Sequence, residues 1–137
     1  MFDLSGFQTG ALAFLLAFVV AGLFTLAFKV IYQAVTPYRE RDLIRQGNTA
    51  AAIALVGALI GYVLPLASAL SHTVTLAEFV AWALLAGVIQ IIAFTLVRVI
   101  ALPDVKARIE NGEVAVGVYL AGVSVAVGVL NAACMTP

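Results

Sequence analysis

Few of the 137 side chains could do chemistry, and their placement narrows what that chemistry is. The chain holds seven basic and seven acidic residues, and none of them lies near the middle of an apolar stretch. Coupled carriers place a group that changes charge at that depth, so the sequence argues against a pump. One histidine and one cysteine leave no Ser-His-Asp set, metal cluster or disulfide framework, and neither paired carboxylates nor a phosphate loop is present. No catalytic, cofactor or metal residue is therefore assigned, and the chain is read as no enzyme.

The uncharged polar residues near mid-depth of the apolar stretches are Thr25, Gln90 and Ser124. An amide in hydrocarbon needs partners. The simpler reading is an interhelical hydrogen bond worth about 0.6–2 kcal/mol. The sharper one is a polar ring lining a pore between protomers. Asn131, Cys134 and Thr136 sit where the last stretch ends, in a run that packing alone does not dictate, and form the first choice for a functional surface. Cys134 is either a small filler or a thiol that pairs between subunits. His72 is read as a solvated loop residue, and Arg39, Glu40, Arg41 and Asp42 as a solvated face that could dock a partner or anionic lipid. Tyr62 and Trp82 read as interfacial anchors, and Glu78 as a charge favouring a helix N-terminus.

These residues must be carried by elements suited to lipid. The chain is 64% hydrophobic and 10% charged, with zero net charge and a mean hydropathy of +1.15. That polar surface cannot cover a water-soluble domain, and without a basic surplus no nucleic-acid partner is expected. A membrane helix takes about 20 apolar residues. Four stretches qualify, at about residues 9–33, 49–71, 77–100 and 114–134. Each must be helical, because hydrocarbon satisfies no bare backbone. The first lacks a basic leader and a small-residue cleavage site, so it is not read as a signal peptide.

The cations set the orientation. Lys29, Arg39, Arg41 and Arg45 surround one connector, and Arg98, Lys106 and Arg108 the other. Short loops rich in Lys and Arg stay cytoplasmic, which predicts both termini outside, with Lys29 and Arg98 snorkelling.

An offset of 65 residues superposes the two halves without a gap. Phe14 falls on Phe79, Gly47 on Gly112, Gly57 on Gly122, and Thr25 on Gln90. Each half holds two spans, which makes the repeats parallel. In both, a proline (Pro37, Pro103) precedes a short amphipathic helix ended by a left-handed glycine (Gly47, Gly112). Asn48 is then the N-cap of span two, and Glu113 starts span four. Gly57 and Gly61, with Gly122 and Ala126 at the repeat positions, predict that spans two and four pack at the centre. Pro65 predicts a kink. Phe14, Phe18, Phe24 and Phe28 read as lipid- or core-facing bulk.

Three segments carry a family likeness: Asn48–Ala69 (NTAAAIALVGALIGYVLPLASA), Ala81–Gln90 (AWALLAGVIQ) and Asn131–Thr136 (NAACMT). They resemble the YjfL-like bacterial inner-membrane proteins, a family built on a domain of unknown function. The motif positions here are Asn48, Thr49, Gly61, Tyr62, Pro65, Gln90, Asn131 and Cys134. The resemblance implies a bacterial multi-pass protein of duplicated helix pairs; it carries over no established activity and no catalytic residue.

The expectation is an all-α membrane protein. It is one integral domain over residues 1–137, with four transmembrane helices from two parallel helix-hairpin repeats (about 9–71 and 77–136), N-out and C-out. Its expected role is a homo-oligomeric accessory component of the inner membrane, docking a cytoplasmic partner through Arg39, Arg41, Arg45, Lys106 and Arg108. The alternative is a passive channel or small-solute transporter formed between protomers. Membrane lipid is the expected surround, and no cofactor is expected.

Overall fold

A computed structural model describes residues 2–135 as six α-helices, with no strand among the described residues. In order these are α1 (Leu4–Val35), α2 (Glu40–Arg45), α3 (Thr49–His72), α4 (Leu76–Ala101), α5 (Val105–Glu110) and α6 (Val114–Ala133). Four are long and apolar enough to cross a membrane. The first extends one turn earlier than the apolar run suggests, because the Asp3 carbonyl accepts from the Phe7 N–H and begins the helical ladder.

Local chemistry sets the ends. Asn48 caps α3, its side-chain oxygen accepting from the Ala51 N–H at 3.0 Å. Thr75 caps α4 through the Glu78 N–H at 3.2 Å. Both short helices stop at a left-handed glycine, Gly47 at φ 84° and Gly112 at φ 76°. The closures match. Asn48 N–H donates to Leu43 O and Gly47 N–H to Ile44 O, while Glu113 N–H donates to Arg108 O and Gly112 N–H to Ile109 O. This is the paired Schellman pattern, which satisfies carbonyls left over at a helix end.

The core is the pair α3 and α6. They run in the same direction, since Ala50 lies against Gly117, Gly61 against Ser124 and Ser68 against Ala132. A methyl group added at Gly57, Gly61, Gly117 or Gly128 would overlap the backbone of the facing helix. Hydrocarbon supplies no hydrophobic drive, so such backbone approach holds the pair. Pro65 lies within one continuous α3 and cannot donate to the Gly61 carbonyl. Gly128 covers that carbonyl instead, a placement suited to a weak Cα–H···O contact.

The small-residue stripe of α6 differs from expectation. Gly122 and Ala126 are exposed, and a methyl group at Gly122 would meet nothing within 4 Å. The contact runs through Gly117, Ala121, Ser124 and Gly128. Carrying the Gly57-Gly61 spacing across by the 65-residue offset placed the stripe on the wrong face.

α4 lies beside α3 and α6, and α1 contributes little burial. In α1 only Phe28 and Tyr32 are buried, and Phe14 and Phe18 are exposed. Tyr62 is a core residue rather than an interfacial anchor. Its ring stacks on Phe28 with centroids 4.4 Å apart, and its hydroxyl donates to the Ala83 carbonyl at 3.0 Å. Being mid-helix on the face toward α1 and α4, the ring is enclosed before it can reach an interface.

Candidate functional site

Two polar groups sit inside the helices. The first ties α4 to α6. Gln90 Nε2 donates to the Ser124 carbonyl at 3.3 Å. Asn131 Nδ2 donates to Ala86 O at 3.2 Å and to Gln90 Oε1 at 3.4 Å. Gln90, Ser124 and Asn131 are all buried. Gln90 and Ser124 therefore face the interior of one chain, not a surface where protomers would meet. Asn131 is a tie between helices, not part of an exposed functional surface. Thr25 donates to its own helix at Ala21 O, 2.9 Å away. Cys134 is exposed, beside a small pocket of about 130 Å³ that His72, Glu78 and Trp82 also line. Thr136 lies outside the described residues.

The second group lies at the connector end. Both connectors gather there, because Asn48 Nδ2, at the start of α3, donates to Ile109 O in α5 at 2.7 Å. Arg39, Arg41, Arg45 and Lys106 are exposed, while half-buried Arg108 pairs with Glu113 at 2.8 Å. Leu43 and Ile44 pack against the core, as do buried Val105 and Ile109.

Glu40 departs from this pattern. Expected on a solvated face, it is 2% exposed. Near it are Lys29 and Tyr32 of α1 and Tyr38 of the connector, with Arg98 of α4 close to both tyrosines. Arg98, expected to snorkel, is also buried, its guanidinium 5.1 Å from the centre of the Phe94 ring. The Phe94 ring in turn packs against Tyr32, with ring centroids 4.8 Å apart.

Both Glu40 carboxyl oxygens, the Tyr32 and Tyr38 hydroxyls and Arg98 Nη1 have no hydrogen-bond partner. Such a concentration of unsatisfied buried groups is unusual for a packed interior. Burial raises the Glu40 carboxyl from 4.5 to about 8, against the pull of the Tyr32 hydroxyl and the Lys29 ammonium. Tyr38 is pushed up to about 12, by burial first and then by the Glu40 charge. An open cleft of about 470 Å³, lined by Tyr38, Glu40 and the residues around them, leads to the site.

The cluster was legible but missed. Glu40 precedes Leu43 and Ile44 by three and four residues, so a helix over 40–45 puts it on their inward face. The 65-residue offset also lays it on Val105, which is buried.

The chain is 39% identical over 125 residues to the UPF0719 inner membrane protein YjfL of Escherichia coli strain K12, covering 91% of this chain and 94% of that protein. The YjfL protein of Escherichia coli O157:H7 matches to the same extent. No solved structure matches. The sequence profile described as Domain of Unknown Function (DUF350) covers residues 5–135, and the chain belongs to that family.

Proposed function

We propose that this multi-pass inner-membrane protein is a non-catalytic accessory component, which works as a homo-oligomer and docks a partner at the cytoplasmic face. The observation that carries the reading is the collection of exposed Arg39, Arg41, Arg45 and Lys106, with Arg108 beside them, at one end of the helices. Short cationic connectors stay cytoplasmic, which puts both termini in the periplasm. The sequence of long, short and long helix, occurring twice with matching glycine closures, supports descent from a duplicated hairpin. The apolar, almost wholly exposed α1 supports self-association alongside lipid contact.

A photo-crosslinking residue at Arg41 tests this reading. It should trap one defined cytoplasmic protein, and the adduct should vanish when Arg39, Arg45, Lys106 and Arg108 are reversed in charge at equal expression. An adduct indifferent to charge reversal would remove the proposal. The passive-channel alternative has less support, because Gln90 and Thr25 are turned to partners within the chain and Ser124 is buried.

A further inference from the structure

We propose that Glu40 is a proton-binding site, and that its occupancy governs whether α2 stays docked against the bundle. This goes beyond partner docking and does not rest on it. The Glu40 side chain is buried and neither oxygen has a partner in good hydrogen-bond geometry, although the Tyr32 hydroxyl is near enough to favour the anion. Among the described residues the one ion pair within 4.0 Å is Arg108–Glu113, so no cation pairs with Glu40. A charged carboxylate in that position is only partly offset by the Lys29 ammonium and the Tyr32 hydroxyl, and taking up a proton relieves the cost of its burial. The protonated group gains an O–H donor beside two tyrosine hydroxyl oxygens that lack partners.

Every ionisable group turned toward this carboxyl acts in a known sense. Lys29 and Tyr32 of α1 favour the anion, Tyr38 flanks it from the connector, and Arg98 of α4 stands behind the tyrosines. α3 has only Tyr62 and His72 as ionisable residues, in its middle and at its far end. On α2 itself Arg41, Asp42 and Arg45 are exposed.

The helix that carries Glu40 is weakly held. Six residues cannot sustain a helix alone, and α2 is anchored by half-buried Leu43 and Ile44. Released into water, Glu40 would return to its ordinary 4.5, against about 8 when docked. The raised value belongs to the docked state, so docking is fully favoured below 4.5 and is lost as pH rises through about 8. Near-neutral pH falls within that interval.

The test uses the full chain in lipid nanodiscs. Nitroxides at Asp42→Cys and Glu110→Cys, in a Cys134→Ser background, report the separation of α2 from α5. The undocked fraction should rise as pH approaches about 8, by at most about tenfold per pH unit for one proton. Glu40→Gln should hold the short separation at every pH. On the unsubstituted chain, infrared difference spectra with isotope-labelled glutamate should show a protonated carboxyl band that disappears over the same range. A separation indifferent to pH, a Glu40→Gln variant that still responds, or no titrating band would each overturn the proposal.

Discussion

At the scale of single residues, two side chains do more than their local helices require. Asn48 caps α3 and also reaches Ile109 in α5, joining the two connectors. Asn48→Ala loses both bonds and should cost about 1–2 kcal/mol, read as a lower midpoint in detergent-induced unfolding. Asn48→Ser keeps a capping oxygen but cannot span to Ile109, and should fall between. Asn131 likewise holds Ala86 and Gln90 together. Asn131→Leu strands the Gln90 carbonyl oxygen and should cost about 0.6–2 kcal/mol in the same assay, while the Gln90→Leu and Asn131→Leu double variant should cost less than the sum. Asn48 could be assigned from sequence because capping is local chemistry. The burial of Asn131 could not, since its place at a span end reads as surface until the facing helix is known.

Among elements, the close backbone approach of α3 and α6 sets the sensitivity of the fold. Gly61→Ala would drive a methyl group into the Ser124 carbonyl, and Gly117→Ala into that of Ala50. Each should cost about 1–3 kcal/mol as overpacking. Gly122→Ala meets open space and should be neutral or gain up to about 1 kcal/mol of helix propensity. Thermal unfolding of the matched variants separates the true α6 stripe from the one the repeat offset suggests. Helix positions were readable because length and hydropathy define a span. Which face of an apolar helix turns inward was not, because an all-apolar surface leaves little contrast between faces. The reverse error affected α2. Its charged residues read as one solvated run, though the inward face passes through Glu40.

For the whole molecule, the proposed topology predicts labelling behaviour. In a Cys134→Ser background, Arg45→Cys and Lys106→Cys should resist an impermeant thiol reagent added to intact cells and react once the inner membrane is opened, while exposed Cys134 of the unsubstituted chain should react at once. Periplasmic reactivity at position 45 or 106 would invert the arrangement. The four long helices also differ in reach. At 1.5 Å per residue, the 32 residues of α1 extend about 48 Å, and the 20 residues of α6 about 30 Å. Only the shorter matches a hydrocarbon slab of about 30 Å. The excess in α1 must lean over or emerge among the headgroups, and this lightly anchored helix is free to lean. Lipids with longer acyl chains should stand it upright, which oriented solid-state NMR would detect as a falling tilt.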